Sequence, residues 1–176
     1  LEYVYSINED DYMIDFSINT VGLDKLIPRN QNSMQLNWQM NLPHTEKSIE
    51  NERMYSTAYF KYMDNEVNYL SETSDDEEEL DGKTKWIGFK HQFFSTVLIN
   101  DSGFEKPTTI KATTNKNSQR FVRSLEADIT LPYNHNREES LPLKIYFGPN
   151  HYQTLSNYKK DLEKMIPLGW GIFRWV

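Results

Sequence analysis

Four histidines, His44, His91, His135 and His151, are the side chains best suited to move protons or bind a metal near neutral pH. They lie far apart or beside turn signals, and none has a partner at the H-x-x-x-H spacing that puts two imidazoles on one helical face. His91 falls inside an expected strand, where a structural or surface role fits better than catalysis. The chain has no cysteine, which removes disulfides, thiol catalysis and zinc-thiolate sites together. There is no G-x-S-x-G elbow, phosphate-cradling loop or dinucleotide fingerprint, and seven glycines leave little material for one. The 26 acidic residues leave a glycosidase-type carboxylate pair open, yet no spacing selects one. The expectation is a chain with no catalytic residue, no metal and no cofactor.

Two charge clusters remain. The run "SDDEEELDG" places acids at Asp75, Asp76, Glu77, Glu78, Glu79 and Asp81. Adjacent acids lack the alternating ligand spacing of a calcium loop, so the run reads as a solvated loop. From Phe104 to Arg123 the chain carries Lys106, Lys111, Lys116, Arg120 and Arg123 against Glu105 alone. This reads as a basic edge whose lysines discourage sheet-to-sheet pairing. A net charge of -7 and a pI near 5.1 argue against a nucleic-acid binder, which needs a clustered basic face.

The elements that must position these residues are mostly strands. With 176 residues, 38% hydrophobic and 14% aromatic, the chain is sized for one well-packed domain. Tyr3, Tyr5 and Ile7 share one face of "EYVYSI", and Tyr12, Ile14, Phe16 and Ile18 share one face of "YMIDFSI", a hairpin about the acidic turn Asn8 to Asp11. "MQLNWQMNL", "YSTAYFKYM", "VNYLS", "WIGFKHQFFSTVLI", "TTIKATT", "FVRSLEADITLP" and "LPLKIYFG" continue the pattern, with a turn at Met63 to Glu66. About ten strands without intervening helices predict two packed antiparallel sheets. Trp38, Phe60, Trp86, Phe89, Phe94, Leu125 and Ile145 are the expected core anchors. A short helix near "HTEKSIENER" is weakly signalled. The one long helix comes last: Asn150 as N-cap and Gln153 at N3, then Tyr152, Leu155, Tyr158, Leu162, Met165 and Ile166 at helical spacing, with lysines opposite, ended by Pro167 and Gly169.

Three stretches in order, "KWIGFKHQFFSTVLI", "LKIYFGPNHYQTL" and the terminal "PLGWGIFRWV", resemble the large periplasmic domain of the YidC-type membrane protein insertases and the start of the membrane segment after it. The middle stretch is the most specific, a strand ending Tyr146-Phe147-Gly148-Pro149 and then a helix with Tyr152 and Leu155. The resemblance covers the whole chain in architecture and about the second half in recognisable residues. It implies a mostly β fold, a two-sheet antiparallel β-supersandwich of the sugar-mutarotase-like type, with a C-terminal α-helix. Residues 1–149 would form the sandwich, 150–168 the amphipathic helix, and 169–176 the start of a truncated transmembrane segment. Leu1 and the bare apolar end both read as cut from a longer chain.

The resemblance further implies a non-catalytic domain on the periplasmic side of the bacterial inner membrane, anchored by flanking transmembrane helices. Its partners would be its own transmembrane core, the Sec translocon with accessory subunits, and nascent membrane proteins. The expected hinge and membrane-proximal contact comprises Tyr146, Phe147, Gly148, Pro149, Tyr152, Leu155, Leu162, Trp170 and Trp175. Tryptophans suit the headgroup level, and the terminal apolar residues fall short of the about 20 that span a bilayer. A carbohydrate-binding or mutarotase-like sandwich is the competing expectation; it would bring aromatics, a histidine and a carboxylate together in a concave pocket.

Overall fold

A strand of 20 residues, β8 (Phe94–Thr113), organises the protein. The computed structural model describes residues 1–64 and 67–167. Before β8 come β1 (Glu2–Ile7), β2 (Met13–Val21), β3 (Ser33–Pro43), the short helix α1 (Ile49–Met54), β4 (Thr57–Tyr62), β5 (Val67–Tyr69), β6 (Asp76–Leu80) and β7 (Thr84–Lys90). After it come β9 (Phe121–Pro132), β10 (Glu138–Pro149) and the helix α2 (Tyr152–Asn157). The first part of β8 lies between β10 and β7 in a sheet ordered β1-β2-β10-β8-β7-β4-β5. Its last part lies between β6 and β9, and β9 also pairs with β3. All the pairings are antiparallel. Asn100 Nδ2 donates to the Gly103 carbonyl at 2.8 Å and so ties the bend where β8 passes from one sheet to the other.

Period-two alternation gives each sheet an apolar face. Phe16, Phe60, Ile87, Phe89, Leu98 and Leu143 of the larger sheet meet Leu42, Ile110, Leu125, Ile129 and Leu131 of the smaller one in a single core. Trp38 of β3 stacks on Phe89 of β7 with ring centroids 4.0 Å apart. Of the expected anchors, Phe60, Trp86, Phe89 and Leu125 are buried, while Trp38 and Ile145 are half-buried at the rim. Phe94 is 59% exposed: it opens β8 at a corner where the smaller sheet does not reach.

The acidic run is a strand, not a loop. Asp76 to Leu80 pair with Ala112 to Thr108, Lys111 meets Glu77 at 2.7 Å, and Leu80 is fully buried. Asp75 and Asp76 accept backbone N–H groups from Thr114 and Ser71. The basic edge is changed as well, because Arg123 is buried and donates to the carbonyls of Ser56, Ser71 and Ser74. β4 and β5 pair antiparallel; of the expected turn between them, Asn65 and Glu66 lie outside the described residues. The short helix is present as α1, N-capped by Ser48, whose Oγ accepts from the Asn51 N–H.

Candidate functional site

Side chains on the outer face of the larger sheet alternate with those of the core, and this face has an apolar patch of its own. Met13, Tyr59, Trp86, Val97, Ile99 and Tyr146 form it, and Leu155, Leu162 and Met165 cover it from the C-terminal segment. These last three are fully buried, which removes from water enough apolar surface to stabilise docking by about 1.5–3 kcal/mol per side chain.

The covering segment is not one long helix. α2 ends at Asn157, and a 3₁₀ turn runs from Leu162 to Met165. Lys159 and Asp161 between them adopt left-handed backbone angles, φ 54° and 63°. The break frees the Lys160 carbonyl, which accepts the indole Nε1–H of Trp86 at 2.8 Å. Apolar spacing at 155, 158, 162 and 165 satisfies a continuous helix and this broken one equally, so the sequence pattern does not separate them. Asn150 is not the N-cap. That place belongs to His151, while the Asn150 side chain donates to the His91 carbonyl at 2.8 Å and accepts from Ser95 Oγ at 2.6 Å. It clamps the β7–β8 turn to the end of β10.

Polar contacts ring the docked segment. Tyr158 donates to Asp11 Oδ1 at 2.6 Å; burial and that carboxylate push the phenol up to about 12, and the same bond holds Asp11 below its usual range. Lys160 and Lys144 both reach Asp101 and hold its carboxyl low. Lys61 meets Asp161 at 3.2 Å. Of the lysines expected on the solvent side, Lys159 and Lys164 are exposed, but Lys160 is drawn in by Asp101.

The expected site residues fall into distinct places. Tyr146 is buried in the outer patch, and its hydroxyl donates to the Pro149 carbonyl at 2.6 Å. A Cβ on Gly148 would come within 2.8 Å of the Tyr12 ring and the Tyr146 hydroxyl, so this close approach needs glycine. Leu155 and Leu162 are docked as described. Tyr152 and Phe147 are exposed, Tyr152 because α2 turns that side away from the sheet. Trp170 and Trp175 lie outside the described residues, as does Gly169.

Trp86, expected as a core anchor, and Gly88, read only as part of a strand, both belong to this outer site. A Cβ at Gly88 would sit 3.0 Å from Met165 Sδ and 3.2 Å from Val97 Cγ2. An isolated glycine inside "WIGFK" is the signal that marks such an approach.

His91 lies just past β7 at the turn, not within the strand. Its Nε2 is 3.3 Å from Oε1 of Glu52, a fully buried carboxylate on α1, and His44 Nε2 is 3.4 Å from Oε2. The Thr45 N–H and hydroxyl also donate to Glu52. Burial lowers the His91 pKa against the pull of Glu52. The cluster fastens α1 to the sheets. His135 packs on Tyr133, and His151 meets Thr154 at the start of α2. A cleft lined by Tyr3, Tyr5 and Trp38 lies between the two sheets, and neither a histidine nor an acid lines it. In this cleft the aromatic side chains that a sugar site needs stand without its histidine or carboxylate. Among the described residues no group of three or more His, Asp or Glu is arranged to hold a metal ion, and no helix is long and apolar enough to cross a membrane.

The family model for the YidC periplasmic domain matches residues 1–176. Proteins named membrane protein insertase YidC align over the whole chain: 35% identical in Parabacteroides distasonis, 32% in Phocaeicola vulgatus and 30% in Bacteroides fragilis. The chain spans 29% to 30% of the length of these relatives. A match that runs from the first residue to the last, over a two-layer β fold closed by a helical C-terminal segment, makes this chain a member of the YidC periplasmic domain family.

Proposed function

We propose that this domain is the non-catalytic periplasmic part of an insertase in the bacterial inner membrane, held there by flanking transmembrane helices. It supports the insertion and folding of newly made inner-membrane proteins through contacts with its own membrane core, with the Sec translocon and accessory subunits, or with nascent chains. The observation that carries this reading is the docking of Leu155, Leu162 and Met165 on the larger sheet. A C-terminal segment fixed at three buried side chains and at the Trp86 hydrogen bond passes the orientation of the sandwich to whatever follows residue 167. Trp170 and Trp175 belong to this reading as membrane-proximal contacts.

The test is an insertion assay in the full-length protein at equal expression. Leu155→Ala with Leu162→Ala removes two buried side chains at about 2–5 kcal/mol each and should impair insertion more than Glu77→Gln with Glu79→Gln on β6. If the β6 pair is the more damaging, the contact surface is that strand and the docked segment is not the hinge.

A further inference from the structure

Among the described residues β1 and β5 end the larger sheet, and β3 and β6 end the smaller one. An edge strand turns every second N–H and C=O pair away from its neighbour, and proteins guard such edges with charge, shortness or cover. Three of these edges are guarded. β5 has three residues, β6 carries Asp76, Glu77, Glu78 and Glu79 in a row, and β1 holds Glu2 and runs into the acidic turn that ends at Asp11. β3 differs: it has 11 residues, no charged side chain, and a proline only at its last position. On a chain of net charge -7, so long a neutral edge lacks the usual protection against pairing.

The pattern along β3 selects the occupant. Leu36, Trp38 and Met40 turn toward the core and are only half-buried, whereas Gln35, Asn37, Gln39 and Asn41 are exposed on the other face. Antiparallel strands related by a two-fold axis normal to the sheet oppose residues of the same face. Two copies of β3 therefore set apolar side chains against apolar ones, and amides, each both donor and acceptor, against amides. Centred on Trp38, the pairing puts Leu36 opposite Met40 and Gln35 opposite Asn41 across the seam. The same operation on β6 would oppose carboxylates. The acids beside β3, Glu126 and Asp128 of β9, accept from Asn37 Nδ2 at 2.9 and 2.8 Å. They would stand three strand spacings, about 14 Å, from their copies, beyond the screening length of about 8 Å at physiological salt. A charged ligand finds no counter-charge on this strand. We propose that β3 is a homotypic docking edge, along which two copies of this chain pair antiparallel and join their smaller sheets into one continuous layer. The contact is one strand wide, below the size of a standard interface, so the association is weak in dilute solution and gains from confinement of both copies to one surface. It adds an assembly to the proposed role in insertion and is measured without it.

The test is sedimentation equilibrium of this chain from about 10 μM to about 1 mM, the range in which weak dimers form. A monomer–dimer equilibrium is expected, strengthened by salt because screening relieves the repulsion between two chains of net charge -7. Gln35→Lys with Asn41→Lys, and separately Gln35→Glu with Asn41→Glu, each set like charges opposite one another and should weaken self-association at least about tenfold. An equimolar mixture of the two variants should dimerise again. Both positions are exposed, so thermal midpoints should stay near that of the parent. Amide hydrogen exchange on the unmodified chain serves as a second measurement, and should slow with rising concentration at alternate residues of β3. A chain that stays monomeric over the whole range overturns the proposal. So do a dimer that either variant leaves intact, a mixture that associates no better than its components, and protection confined to another strand. None of these outcomes depends on the insertion result for Leu155→Ala with Leu162→Ala, so the two readings fail separately.

Discussion

The indole of Trp86, buried in the middle of β7, donates its Nε1 hydrogen across 2.8 Å to the carbonyl of Lys160, where the C-terminal segment leaves helical geometry. Trp86→Phe keeps an aromatic ring in place but leaves that carbonyl unpaired. A loss of about 1–3 kcal/mol is expected in urea unfolding, with faster proteolysis between residues 158 and 161 as the local sign that docking has loosened.

Gly88 and Met165 should behave as a coupled pair. Gly88→Ala forces a Cβ toward Met165 Sδ and Val97 Cγ2 and should cost about 1–3 kcal/mol by overpacking. Met165→Ala alone leaves a cavity at about 2–5 kcal/mol. The double variant should lose less than the sum, because the smaller side chain relieves the clash; strict additivity in a denaturant double-mutant cycle would show that the 3₁₀ turn does not rest on Gly88.

Arg123→Met should destabilise the protein by about 2–4 kcal/mol, because it strands the carbonyls of Ser56 and Ser71 in a partly buried setting and removes a bond to Ser74. Hydrogen exchange should rise first in residues 71 to 76, the segment that this guanidinium holds.

Acid should weaken the fold through His91. Burial sets its native pKa below the unfolded value of about 6.5. Between those two values the unfolded chain carries a proton that the native chain lacks, so stability falls as pH is lowered through that window. Unfolding free energies measured from pH 7.5 down to 5 should show this slope, and His91→Gln should flatten it.

How far the sequence could be read depended on whether a residue's surroundings are local. The β1–β2 hairpin, the strands other than β6 and the buried positions Phe60, Trp86, Phe89 and Leu125 follow from alternation, which neighbours in the chain determine. Asp76 to Leu80 escaped because charge density hides a strand whose acids are matched from across the ladder, by Lys111 opposite Glu77. Arg123 looked like surface charge because its three carbonyl partners lie about 50 to 70 positions away and leave no trace in local pattern. Leu155, Leu162 and Met165 were legible as one apolar stripe, but the break at Lys159 to Asp161 was not, since a tryptophan 74 positions upstream takes the freed carbonyl. Phe94 and Phe147 were marked by type as interior or hinge residues; only the limited reach of the smaller sheet leaves them uncovered.

β8 has a mechanical consequence. Because one covalent strand is a central member of both layers, there is no hydrogen-bonded seam along which they can be parted. Tension entering at the C-terminal segment and β10 crosses into the smaller sheet through the peptide bonds between Ile99 and Glu105, which do not yield as a ladder does. A change in the angle between the two sheets is therefore taken up in the φ and ψ of this short bend, where the Asn100 side chain holds the Gly103 carbonyl.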